Sequence, residues 1–357
     1  MHALQYLGWT DSRTTEFEPH AANGHSPARV AAQHRGAYVV LSELGELRAG
    51  AAGRLAHEAL GTGDLPAVGD WVAIAARPDE GAATIHGVLS RLTKFSRKVA
   101  LGASQEQVLA ANIDAVFLLM SLNEDFNLRR LERYIATAWE SGAQPVIVLT
   151  KTDLCAEYAL RVVEVETIAF GLPVHAISNL TGDGLDLIRA QLEPGRTIAL
   201  LGSSGVGKST LVNTLAGEEL LATQPIREDD GDGRHTTTHR QLVLLPGGGL
   251  VVDTPGLREL QLWDSSEGFG ETFSDIEELM LRCRFNDCAH RTEPGCAVRA
   301  ALATGDLDLG RWESYTKLQR ELAHLERRLS KRLQSEAKKR WIKAHKVGRE
   351  NSRVKGR

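Results

Sequence analysis

The chain has 357 residues, 42% of them hydrophobic and 25% charged; the length exceeds a single core and the composition is that of an ordinary globular protein. No apolar run approaches the ~18 residues of a membrane helix. The start, "MHALQYLGWTDSR", lacks the basic end and apolar stretch of a signal peptide, so a cytoplasmic protein is expected. The net charge of −4 is uneven: Arg327 to Arg357 carries thirteen Lys/Arg against two acids, Glu336 and Glu350, which leaves a +11 tail on a −15 body. Such a tail suits a polyanion, nucleic acid first, although a solvated tail without a partner has the same composition.

Residues 1–34 are poor in periodic apolar positions and read as a flexible N-terminal arm. From 35 to 105 short β-like runs ("GAYVVL", "LAHEAL", "GDWVAIAA", "TIHGVLSRL") alternate with Gly, Pro and Asp. They predict a small β-barrel, for which the OB-fold is one common choice; periodicity alone does not separate it from other small barrels. From 106 to 264 strand and helix patterns alternate. "DAVFLLMS" is a buried strand, "LRRLERYIATAWESG" an amphipathic helix, and "PVIVLT", "LPVHAIS" and "RTIALLG" are further strands. "RQLVLLPGGGLVVDTPG" reads as a hairpin, and the whole predicts an α/β layer with a mostly parallel sheet. Residues 265–326 lose the strand pattern and carry three cysteines and helical segments, and 327–357 form the basic tail.

Four loops in the α/β region carry chemistry. "GSSGVGKS" follows a strand, opens a helix and fits the phosphate-loop pattern G-x-x-x-x-G-K-[ST]. Gly202, Gly205 and Gly207 let backbone N–H groups turn onto phosphates, Lys208 reaches the β- and γ-phosphates, and Ser209 is placed for Mg²⁺. Ser203, Ser204, Val206 and Thr210 complete the expected nucleotide contacts. "VVDTPG" ends a second strand: Asp253 is placed to hold Mg²⁺ through water and the Gly256 N–H to sense the γ-phosphate. Between them "GDGRHTTTHR" suits a switch segment, with Thr237 the expected Mg²⁺ ligand and Thr238 the second choice.

The base is read ahead of the phosphates. In "PVIVLTKTDL" Asp153 can accept two hydrogen bonds from a guanine, and the stem of Lys151 can lie along its plane, with Thr150 and Thr152 completing the loop. "AISNLTGDGL" then offers the backbone N–H groups of Ser178 and Asn179. The motif order is base, base, phosphate, switch, switch, a cyclic rotation of the usual order that leaves every motif in place in space. Downstream, "CRFNDCAHRTEPGC" supplies Cys283, Cys288, His290 and Cys296, three thiolates and an imidazole, the ligand set of a closed structural Zn²⁺ site. Cys155 stands apart and reads as a small core residue.

"GDWV", "TKTD", "GSSGVGKST", "GRHTTT", "DTPG", Leu262–Trp263 and the cysteine segment occur in this order over about Gly36 to Leu322. Together they resemble the circularly permuted small-ribosomal-subunit biogenesis GTPases, the RsgA family. The resemblance implies a circularly permuted P-loop GTPase domain, flanked by an N-terminal OB-fold barrel and a C-terminal, mostly helical zinc domain. It also implies a monomeric, Mg²⁺-dependent GTPase, stimulated by the small ribosomal subunit and acting through rRNA in late maturation. Three positions depart from common patterns. Thr150 stands where the family usually has an Asn that braces neighbouring loops, and Asn179 where it commonly has Ala. Leu257 occupies the place at which many GTPases carry a glutamine for the attacking water, so unassisted hydrolysis is expected to be slow. His235 then either positions that water once a partner orders the loop, or only hydrogen-bonds the switch or rRNA. Two other classes compete: a P-loop ATPase or kinase, which has no use for a guanine loop, and an RNA-binding scaffold with little turnover.

Overall fold

The computed structural model describes residues 3–34, 36–59, 61–99, 105–221, 241–253, 266–323 and Arg327. The expected N-terminal arm is not an arm. A 3-10 turn (Leu4–Leu7) leads into α1 (Asp11–Ala21) and then β1 (Ser26–His34). Leu7, Phe17, Ala28 and Val30 are buried. Leu7 and Phe17 stand ten residues apart with only Arg13 buried between them, and the buried run of β1 is three alanines, Val30 and Arg29, so no periodic pattern of large apolar residues marks the segment.

β1 belongs to the barrel. β2 (Ala37–Ser42), β3 (Gly45–Ala51), β4 (Trp71–Arg77) and β5 (Ala82–Val88) complete it in the order β1-β2-β3-β5-β4, and β4 returns to β1. Only β3–β5 is parallel. Five strands closed in this way are OB-like. Val30, Val40, Leu47, Val72, Ile74 and Ile85 fill the interior. "LAHEAL", expected as a strand, falls largely in the helix α2 (Gly53–Glu58) between β3 and β4, in keeping with the helix propensity of Leu, Ala and Glu. A separate hairpin, β6 (Lys94–Val99) with β7 (Gln105–Ala111), runs past the expected end of the barrel.

The α/β layer follows: β8 (Ala115–Ser121), α3 (Leu128–Glu140), β9 (Gln144–Thr150), α4 (Tyr158–Ala169), β10 (Val174–Ala176), α5 (Leu185–Arg189), β11 (Thr197–Leu201), α6 (Lys208–Ala216), β12 (Gln241–Leu244) and β13 (Leu250–Asp253). Its strands lie in the order β10-β9-β8-β11-β13-β12. All but β12 are parallel. β8 is buried at every position, as a central strand covered on both faces must be. α3 begins at Asn127, whose side chain accepts from the Arg130 N–H at 2.9 Å, and buries Leu131, Ile135 and Ala138 along one stripe. The chain builds β8, β9 and β10 outward and then returns to lay β11 beside β8. That return is a topological switch point, outside which such sheets bind ligands.

Barrel and α/β layer share one continuous sheet through Ala32↔Gln241, and both lie in one compact unit, Met1–Gln261 with Glu267–Thr272. Arg29 of β1 anchors their junction. It is 2% exposed and donates to the carbonyls of Gly69 (3.2 Å), Asn112 (2.9 Å) and Leu7. Burial lowers its pKa to about 10, which still leaves it charged at neutral pH. Arg13 of α1 reaches the Asn112 side chain at 2.8 Å. One cation therefore ties the N-terminal segment and barrel to the residue that leads into β8.

The second unit is Leu262–Ser266 with Phe273–Arg357. Its described elements are α8 (Ser274–Leu281), α9 (Ala297–Thr304) and a helix over 309–323; the short helix before them, α7 (Ser266–Thr272), falls mainly in the first unit. No helix among the described residues is long and apolar enough to cross a membrane.

Candidate nucleotide site and cysteine cluster

The carboxyl ends of β8, β9, β10 and β11 release four loops at one edge of the sheet, and side chains link them across long sequence distances. After β11 the phosphate loop turns at Gly202, where a Cβ would sit 2.7 Å from the Leu119 carbonyl. No larger residue fits so close to β8. The loop enters α6 at Gly207, with φ of 103°. The Lys208 ammonium lies on the loop, donating to the carbonyls of Gly202 (2.7 Å) and Ser203 (2.6 Å). Val206 is buried, whereas Ser204 and Gly205 are exposed at the rim.

The base loop meets the phosphate loop directly. Thr150, fully buried at the end of β9, donates its hydroxyl to the Val206 carbonyl at 2.7 Å across 56 positions. Here the threonine supplies the brace that its replacement of an amide had placed in question. Lys151 then takes a left-handed conformation (φ 62°) and turns the chain into a 3-10 turn, Thr152–Leu154, while the Thr152 N–H donates to the Ile177 carbonyl at 3.2 Å. Asp153 is exposed, and the hydroxyl of buried Ser178 donates to its Oδ1 at 2.5 Å. Ser178 also accepts from the N–H groups of Leu180 and Thr181, so the second loop fixes the carboxylate of the first. The Asn179 amide donates to the Gly207 carbonyl at 3.4 Å, and its Oδ1 is buried without a partner among the described residues.

The four metal-type ligands also converge. Cys283 lies just past α8, Cys296 caps α9, and the ligand atoms of Cys283, Cys288, His290 and Cys296 all lie within 4.8 Å of one another. Cys283 Sγ and Cys296 Sγ are 3.6 and 3.5 Å from His290 Nδ1. His290 has φ of 57° and Gly295 of 74°; these two turns bring distant ligands back to one point. Glu293 closes the loop by accepting from the N–H groups of Arg291 (2.8 Å), Thr292 (2.9 Å) and Ala289 (3.2 Å). Together with its own N–H, these bonds hold its carboxyl at about 2. Trp312 of the 309–323 helix packs edge-on to the His290 ring at 5.7 Å. Burial pushes the Cys288 thiol up, a cost that a cation on three sulfurs and one imidazole removes. The donor set and its closeness therefore fit a tetrahedral cation.

Comparison with known proteins settles the family. The sequence model described as "RsgA GTPase" matches residues 88–263, and one described as "50S ribosome-binding GTPase" matches 197–336. A protein of Opitutus terrae named small ribosomal subunit biogenesis GTPase RsgA is 49% identical, covering 99% of both chains. The chain belongs to the RsgA GTPase family. An RsgA of Streptomyces coelicolor is 44% identical over 97% of this chain and 94% of its own. The crystal structure of YjeQ from Thermotoga maritima, 28% identical, superposes with a TM-score of 0.63 over 84% of this chain and 99% of that one. YloQ, whose structure is described as a circularly permuted GTPase, gives 0.61 at 24% identity and so speaks for the fold alone.

Of the residues singled out in the sequence, Thr150, Lys151, Thr152, Asp153, Ser178, Asn179 and the loop from Gly202 to Thr210 gather at this sheet edge. Asp253 ends β13 on the same edge. His235, Thr237, Thr238, Gly256 and Leu257 lie outside the described residues, as do Leu262–Trp263 and the basic tail from residue 328. Sequence reasoning missed Asp125, which accepts from the Ser203 hydroxyl. Its one signal was position: an acid in the loop that directly follows a buried central strand. Thr150→Val removes the hydroxyl at nearly constant volume and leaves the Val206 carbonyl unpaired, at a cost of about 1 kcal/mol. Titration with fluorescent GDP is expected to show roughly fivefold weaker binding; unchanged affinity contradicts the brace.

Proposed function

We propose that this chain is a Mg²⁺-dependent GTPase of the cytoplasm that acts as a monomer in late maturation of the small ribosomal subunit, and that the subunit stimulates its turnover. One observation carries the nucleotide assignment: Thr150 with Val206 and Asp153 with Ser178 join the base loops and the phosphate loop into one site. The ribosomal assignment rests on the family and on the names of the relatives. Asp153 reads the guanine N–H groups, Lys151 lies along the base, and the Asn179 N–H faces its oxygen; the Ser178 N–H, expected to share that task, instead donates to the Asp183 carbonyl at 3.0 Å. The N–H groups from Gly202 to Thr210 and the Lys208 ammonium hold the phosphates. The ion that accompanies GTP would be held by Ser209, Thr237 and, through water, Asp253; when bound it neutralises charge on the β- and γ-phosphates. Gly256 senses the γ-phosphate, and GTP in this way orders the "GRHTTT" and "DTPG" loops. Leu257 has no group to orient water, so His235 takes that task when the ribosomal partner sets the switch.

Zinc is the cation for Cys283, Cys288, His290 and Cys296, because a Cys₃His set offers no open position and therefore builds structure rather than catalysis. The OB-like barrel and the basic tail hold rRNA through its phosphates, with strong salt dependence.

The test is GTP turnover by the full chain with and without purified small ribosomal subunits. Turnover is expected to be slow alone and to rise at least tenfold with subunits; a flat response would leave a nucleotide-binding RNA scaffold. For the metal, chelation is expected to release one zinc per chain and to unfold the Phe273–Leu322 region while GDP affinity stays within about twofold. Circular dichroism and GDP titration on the same sample check this, and a parallel loss of both signals contradicts it.

A further inference from the structure

We infer that Asp125, in the loop between β8 and α3, is a positioning residue for the phosphate loop, acting through Ser203. The inference rests on the proposed use of Gly202–Thr210 to hold nucleotide phosphates, and it adds to that loop a support from another part of the chain.

The Ser203 hydroxyl donates to Asp125 Oδ2 across 78 positions. Asp125 is itself held from several sides. Its Oδ1 pairs with Arg130 Nη2 at 2.8 Å, and the same guanidinium donates to the Asp125 backbone carbonyl. Its N–H donates to Asn123 Oδ1 at 3.2 Å, and that oxygen also accepts from the Ser121 hydroxyl, the last residue of β8, at 2.8 Å. Asn127 caps α3 two residues on. The ring of Phe126 lies under the Arg161 guanidinium of α4 at 4.9 Å. The loop is thus fastened to β8, α3 and α4, and it offers Ser203 one fixed acceptor.

Ser203 is held from within the phosphate loop as well, by the Lys208 ammonium on its carbonyl at 2.6 Å. Carbonyl and hydroxyl are therefore each held by a separate charged group, which restrains the first turn. Phosphate loops work by aiming successive N–H groups at one point. A turn free to rotate must be ordered when the nucleotide binds, and that ordering is subtracted from affinity. Asp125 removes this cost beforehand.

A carboxylate beside a phosphate site also poses an electrostatic problem, since a bare negative charge repels the ligand. The ion pair with Arg130 answers it: Asp125 and Arg130 have side chains 34% and 30% exposed, and their opposite charges largely cancel at the distance of the phosphates. What remains for Asp125 to contribute is an acceptor at a fixed place, which an amide oxygen also provides.

The experiment is a double-mutant cycle read by GDP affinity and by KM and kcat for GTP, with urea unfolding of each variant in parallel. Asp125→Ala and Ser203→Ala are each expected to weaken GDP binding about five- to tenfold and to raise KM by a similar factor, with kcat within twofold. The double variant is expected to be no weaker than the worse single one, because both remove one contact. Asp125→Asn is expected to bind within about twofold of the parent. Losses that multiply in the double variant would overturn the proposal, as would Asp125→Asn binding as weakly as Asp125→Ala. So would effects on affinity that only follow a fall in the urea midpoint, and Ser203→Ala, which alters no ion pair, separates that case from misfolding. A parent that fails to bind GDP would instead sink the nucleotide assignment, whereas a parent that binds and variants that match it would sink only the role of Asp125.

Discussion

The hydrogen bond from Thr150 to the Val206 carbonyl is the contact on which the site depends. A guanine nucleotide is recognised at two ends, and its affinity requires a fixed distance between the group that reads the base and the loop that holds the phosphates. The segments proposed for those two tasks follow one another in the order opposite to the usual one. Space restores the distance through a buried hydroxyl that offers one donor to one carbonyl. Asp153 with Ser178, and Asn179 with Gly207, repeat the device at the two neighbouring loop junctions. Thr150 ends β9, and the other bonded residues lie in the loops that follow β9, β10 and β11.

Permutation costs this architecture little, because each loop is positioned by its own strand and its neighbours rather than by chain order. β8 pairs with β9 on one side and with β11 on the other, and the strand order about the switch point is what gathers the loops. The change matters at the ends. With the cut placed before β8, the barrel is joined to the α/β layer at Asn112, and Arg29 spends a buried positive charge to secure that junction with three carbonyls. Removing one partner from so buried a charge is expensive, so the barrel and the nucleotide layer form one unit.

Much of this was legible in the sequence for identifiable reasons. The phosphate loop, the base loops and the cysteine cluster are local patterns whose residue types are dictated by phosphate, guanine and cation chemistry, so the segments that the structure gathers could be picked out without coordinates. The α/β alternation was equally clear, since β8 and β11 are continuous apolar runs of the kind that only a two-faced parallel sheet requires. The first 34 residues misled because α1 buries only Arg13 and Phe17, and the buried run of β1 is mostly alanine with an arginine in it, so few large apolar residues mark either element. "LAHEAL" misled because a six-residue run does not separate helix from strand. The bonds of Ser203 with Asp125 and of Arg29 with three carbonyls join residues far apart in sequence and follow no local pattern, so they become visible only once the sheet has brought them together.

The central claim is that the loop read first along the chain, through Asp153, selects guanine. Its most direct test is to compare GDP, ADP and xanthosine diphosphate binding by the parent and by Asp153→Asn. A carboxylate accepts from the guanine N1–H and exocyclic amine, whereas xanthine presents a carbonyl in place of that amine and calls for an amide donor. The account predicts that the parent binds GDP at least a hundredfold more tightly than ADP or xanthosine diphosphate, and that Asp153→Asn exchanges the preference for GDP for one for xanthosine diphosphate. A parent that binds ADP as well as GDP, or an Asp153→Asn variant that keeps its preference for GDP, would contradict it.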